Sequence, residues 1–156
     1  MKKFKNKVLE LLEQNDFENN LQKIHKYDER KIVNALFSFL CSTDKIIKQN
    51  AVTTMGVVVS KIAESDLESA RIIMRRLMLS LTEESGGIGW GAPEAMGEIM
   101  ARNEKLAEEY HKILISYTLG GGNELDFEDL QKDVIAGLRR LSVVRPDLVK
   151  EVKHLL

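Results

Sequence analysis

The chain has 156 residues, 44% of them apolar and 30% charged, which supplies one buried core and is too apolar for a disordered segment. Its net charge of −1 leaves no overall basic field to draw in nucleic acid or an anionic membrane. Cys41 is the only cysteine, so an internal disulfide is excluded, and two prolines with 6% aromatics suit helices better than a β-sandwich.

The lysine-rich N-terminus is interrupted by Glu10, Glu13 and Asp16, which argues against a signal peptide. No run approaches the ~20 apolar residues of a membrane span. A cytoplasmic protein with a reduced, buried Cys41 is the expectation. Val8, Leu11 and Leu12 predict a capping helix within residues 1–27. Ile32, Val33, Leu36, Phe39 and Leu40 then recur at the spacing of one helix face. Ile47, Ala51, Met55, Val58 and Ile62 do so in the next segment, with Asp44 as its N-cap. Val57-Val58-Val59 falls inside that longer period and is not read as a strand. Leu67, Ala70, Ile73, Met74, Leu77 and Leu81 form a third stripe, started by Ser65 or Asp66. Pro93 stands at a first helical turn ahead of Met96, Ile99 and Met100. Leu106, Tyr110, Ile113 and Tyr117 make a fifth helix, ended by Gly120-Gly121-Gly122. Leu130, Val134, Leu138 and Leu141 make a sixth, stopping near Arg145-Pro146. Leu148, Val152 and Leu155 predict a tail helix over 146–156.

The segments repeat. Ala51-x-x-x-Met55-Gly56 and Ala92-x-x-x-Met96-Gly97 share one form 41 positions apart, and Gly137 follows 40 positions later in a weaker copy. A period of ~40–47 residues with two helices each is that of HEAT and armadillo units. Over residues 28–145 the chain resembles the HEAT-repeat superfamily. The stretch Ser85 to Glu98 is also similar to one in small bacterial HEAT-like repeat proteins, and that likeness implies no activity. The resemblance implies an all-α, right-handed α-solenoid of about three helical pairs (28–62, 66–103 and 105–145), with terminal capping helices, as one domain over 1–156.

Residues 82–92 make a long connection carrying Gly86, Gly87, Gly89 and Gly91 around Trp90, the only tryptophan. Glycines this dense allow unusual backbone angles or close approach. Trp90 there is either a packing plug or a recognition anchor. Gly87-x-Gly89-x-x-Ala92 matches a loose dinucleotide fingerprint, but that needs a preceding strand and here a helix precedes. Residues 83–129 hold eleven acids against Arg102, Lys105 and Lys112, a charge of −8. A basic or cationic partner therefore fits the loop better than a phosphate.

Trp90 and Glu94 have the spacing of the tryptophan and aspartate of HEAT-like alkylpurine DNA glycosylases. That family's pattern has aspartate, further aromatics and a basic DNA-binding surface, whereas this chain offers glutamate, one tryptophan and local negative charge. Glu108-x-x-His111 and Glu151-x-x-His154 have di-iron spacing, yet fall opposite the apolar stripes. The His-Glu dipeptides of HEAT-repeat deoxyhypusine hydroxylase are absent, and no nucleophile elbow occurs. HEAT-like lyase subunits that attach bilins to proteins are a third possibility, suggested only by fold analogy. The arginines at 71, 75, 76, 139 and 140 read as solvated helix faces or glutamate partners. The expectation is a non-enzymatic adaptor or regulatory module without cofactor or metal. It would bind a protein partner through Gly87, Gly89, Trp90, Gly91, Glu94 and Glu98, with a base-excising or ligand-processing protein using Trp90 and Glu94 as the alternative.

Overall fold

The computed structural model describes residues 2–14, 17–82 and 90–156. Among them there is no strand, and the helices are α1 (Lys2–Glu13), α2 (Phe17–Ile24), α3 (Glu29–Phe39), α4 (Lys45–Ser65), α5 (Leu67–Ser80), α6 (Ala92–Arg102), α7 (Glu104–Ser116) and α8 (Glu128–Val144). A 3-10 segment, Pro146–Leu155, ends the chain. No described helix is long and apolar enough to cross a membrane.

Four helices start on a side chain that accepts from free backbone N–H groups. Asp28 Oδ1 lies 2.9 Å from the Arg30 nitrogen and Asp44 Oδ1 2.9 Å from that of Ile46. Asp66 Oδ1 lies 3.1 Å from the Ser69 nitrogen, and Asn103 Oδ1 2.9 Å from that of Leu106. Asp66 also ends α4 and Asn103 also ends α6, so each of these corners turns on one residue. Helices α6 and α8 have no side-chain cap at their own N-termini.

Both ends of the chain differ from the pattern read along it. The N-terminal segment holds two helices, because Phe17 and Ile24 on α2 are buried as well as Val8 and Leu12 on α1. The tail is 3-10 and not α-helical: Pro146 lacks an N–H, Leu148 donates back three residues to the Arg145 carbonyl, and Val149 at φ −119° interrupts the helix. Val149 and Val152 are still buried, so the tail covers α7 and α8 as an apolar strip. Helix α7 stops at Ser116, ahead of the three glycines expected to end it.

Helix α6 lies at the centre. It packs most extensively on α8, next on α4, and also on α7 and α5. From Ala92 to Ala101 every residue except Glu94 is buried. Around it, α5 is tied to its neighbours by arginines. Arg71 gives two 2.8 Å hydrogen bonds to Glu109 on α7, while Arg76 reaches Asn34 on α3 at 2.9 Å and lies 4.2 Å from the Phe37 ring centroid.

The approach of α6 to α8 is backbone to backbone. A Cβ on Gly97 would run into the main chain of Gly137, and one on Gly137 would stand 2.5 Å from the Pro93 carbonyl oxygen. On the other side, a Cβ on Gly56 of α4 would stand 2.5 Å from Glu98 Cγ. The three glycines spaced 41 and 40 residues apart thus all sit at interfaces of α6. Gly97→Ala is expected to lower stability by about 2 kcal/mol or more, because backbone cannot yield as side chains do in the overpacking cases that cost about 1–3 kcal/mol. The loss comes despite a gain of about 1 kcal/mol in helix propensity. Urea denaturation measures it, and an unchanged or raised midpoint would contradict the crossing.

Candidate functional site

The N-terminus of α6 is built by residues from three helices. Gly91 enters it at φ +84°, a left-handed conformation suited to glycine, and a Cβ there would collide with the Leu40 carbonyl at the end of α3. Its N–H donates to Asp133 Oδ2 of α8 at 2.7 Å. The other oxygen, Asp133 Oδ1, accepts from Lys48 Nζ of α4 at 2.7 Å. Asp133, 6% exposed, therefore holds the start of α6 with one oxygen and α4 with the other. Pro93 follows in the first turn, where its missing N–H is no loss.

Trp90 precedes this anchor and is 36% exposed, so part of its ring reaches solvent. Glu94 is half-buried in the first turn of α6, and its carboxylate has no hydrogen bond to any described residue. Burial pushes its carboxyl above the ordinary glutamate range. Asp133 and Glu98 add to the push, and Lys48 opposes it. Glu98 has a different setting. It is 5% exposed, and both oxygens are taken by Arg102 and Arg140, so it does not extend an open acidic strip from Glu94. Gly91 is buried and structural, and Gly87 and Gly89 lie outside the described residues.

Asp133 and Lys48 were not read from the sequence as part of the site. Asp133 carries a signal, since it falls three residues after Leu130 and four before Gly137, on the buried face of α8. An acid at such a position needs a partner, but its identity is 85 residues away.

The remaining candidates are dispersed. His111 Nδ1 lies 2.8 Å from the Ala107 carbonyl on its own helix, and Glu108, Glu151 and His154 are exposed. No group of three or more possible metal ligands occurs among the described residues. Cys41 is half-buried, with Sγ 3.6 Å from the Ser38 carbonyl. Two open grooves lie elsewhere. One of about 450 Å³ runs between α3, α4 and α5 beside Val33, Ile62 and Arg76, and one of about 430 Å³ lies beside Leu119, Ile135 and Leu155. No family model, curated protein or solved structure matches the chain.

Asp133→Ala is expected to cost about 2–3 kcal/mol. It strands the buried Gly91 N–H, while Lys48 keeps access to water and limits the loss. Denaturation followed by the emission of Trp90 checks this, with a shift in the folded-state emission as the local sign. A second test uses pH. Because its folded pKa is raised, Glu94 favours the folded state below the unfolded glutamate value of about 4.5, and this contribution is lost as pH rises through the folded pKa. The stability difference between wild type and Glu94→Gln should therefore move in favour of wild type on acidification from neutral pH. A difference constant with pH would show that Glu94 ionises as in water.

Proposed function

We propose that the chain is a HEAT-like helical-repeat module that binds a protein partner at the N-terminus of α6, taking a cationic side chain between Trp90 and Glu94. In this reading α3/α4, α5/α6 and α7/α8 are successive pairs of a short right-handed solenoid, capped by α1 and α2 at one end and the 3-10 tail at the other. Support for it comes from Gly56, Gly97 and Gly137, which repeat at 41 and 40 residues and occupy comparable places between α4, α6 and α8. The module acts as a non-enzymatic adaptor or regulatory subunit in the cytoplasm, where its single cysteine stays reduced.

The observation that carries the binding site is a partly exposed aromatic ring four positions ahead of a half-buried carboxylate that has no hydrogen-bonding partner among the described residues. Such a carboxylate gains more from an arriving cation than a solvated one does, since the local dielectric is low and part of the desolvation is already spent. The ring face adds about 0.5–2 kcal/mol for a lysine or arginine laid over it. A base-excising protein using the same two residues ranks behind. It would have to hold a nucleic-acid backbone beside residues 83–129, which carry a charge of −8.

The test is capture of partners from native lysate by wild type, Trp90→Ala and Glu94→Gln, with melting temperature measured for each. Loss of the same partner by both variants, at nearly unchanged melting, is the expected result. A loss of about 3–5 kcal/mol in Trp90→Ala would mark the ring as core packing. Undiminished capture by Glu94→Gln would remove the carboxylate from the site.

A further inference from the structure

Glu98 sits on a helix whose other buried positions are apolar, and two guanidinium groups meet on it. Arg102, one turn further along α6, places Nε 2.8 Å from Oε2. Arg140 of α8 places Nε 3.1 Å from Oε1 and 3.0 Å from Oε2. Beneath them is Gly56 of α4, where a Cβ would also stand 3.1 Å from Arg102 Cδ. Glu98 and Arg102 therefore lie flat on bare helix backbone.

One bidentate arginine is enough to neutralise a buried carboxylate. Here two arginines are used, and each presents only its Nε edge. The trio keeps a surplus positive charge, and the Nη groups of both arginines have no hydrogen-bond acceptor among the described residues. These side chains are 33% and 36% exposed, so the unused donors reach solvent. The negative end of α6 does not absorb the surplus, because Arg145 already serves the Met100 and Ala101 carbonyls at 3.0 and 3.5 Å.

We propose that Arg102 and Arg140, oriented by Glu98, form a clamp for the carboxylate of an acidic side chain on a peptide partner. A guanidinium offers five N–H donors in a fixed fork, and the free Nη ends match the two oxygens of a carboxylate. The trio itself carries one surplus charge, which matches a monoanion, whereas a phosphate monoester carries about −1.5 to −2; Arg145, held on the Met100 and Ala101 carbonyls, adds to the positive field around it. Glu98 is a positioning residue: it fixes both guanidinium planes before the ligand arrives, which lowers the ordering cost of binding. The clamp stands whether or not Trp90 engages a partner.

The experiment titrates ¹⁵N-labelled full-length protein with hexaglutamate peptide, and separately with inorganic phosphate and a short oligothymidylate, all at matched ionic strength. The readout is the set of arginine Nε–Hε resonances, assigned through the Arg102→Lys and Arg140→Lys variants. Saturable shifts of the Arg102 and Arg140 signals with hexaglutamate are expected, with affinity weakened about tenfold or more in Arg140→Gln, as for loss of a charge-assisted bidentate partner. In that variant Glu98 retains Arg102. Should it fail to fold, Arg140→Lys keeps the charge, lacks the fork and is expected to show the same weakening. Arg75→Gln, which removes an exposed arginine paired with Glu68, is expected to bind as wild type. No saturable shift with hexaglutamate, or equal affinity in wild type and in the folded Arg140 variant, overturns the clamp. Tighter binding of phosphate or of the oligonucleotide overturns its assignment to a carboxylate.

Discussion

Burying a helix on nearly all sides is the constraint from which most of this molecule follows. An eleven-residue helix brings its own unpaired N–H groups at one end and unpaired carbonyls at the other, and α6 also carries two carboxylates. In the core none of these can be left to water. Several of these demands are met by a neighbour: Asp133 receives the Gly91 N–H, Arg145 serves the Met100 and Ala101 carbonyls, and Arg102 with Arg140 neutralises Glu98. Close approach on two sides then requires Gly56, Gly97 and Gly137, because any Cβ at those crossings meets another chain segment. The Glu94 carboxylate has no such partner among the described residues.

That exception gives the N-terminus of α6 its chemical character. Glu94 stands among Asp133, Glu98 and Lys48, and the lysine amine is already committed to Asp133 at 2.7 Å. The fold thus leaves a carboxylate that is uncomfortable when ionised and alone, a few residues from an open indole. Asp133 meanwhile keeps the backbone beneath rigid, so a ligand at this end would meet a preformed frame.

Local signals in the sequence were readable wherever one element decides them. The caps at Asp44 and Asp66, the apolar stripes and the Pro93 start depend on neighbours within one or two turns, and the all-helical class followed from them. The glycine spacing was visible as well, although which backbones it brings together was not. What escaped was the pairing of charges across helices. Asp133 finds Lys48 85 residues away and Glu98 finds Arg140 42 residues away, and no periodicity encodes which basic residue answers which acid. Glu98 consequently read as a neighbour of Glu94 on an open strip, when its carboxylate is turned into a buried pair. The tail read as a helix because its apolar spacing fits 3.6 as well as 3.0 residues per turn over so short a run.

The Lys48–Asp133 contact has a bearing on how the molecule comes apart. In a stack of helices that touch only their nearest neighbours, unfolding is a one-dimensional process: an end peels away and the remainder barely notices. Lys48 on α4 reaches past α6 to α8, a link that skips a neighbour. Detaching α8 therefore releases the Gly91 N–H and frees Lys48 on α4, so fraying from the C-terminal side is transmitted at once into the middle of the chain. Such a link makes opening of the last helices an event felt by α4 and α6 together, and merges what would be separate local openings into one larger cooperative unit.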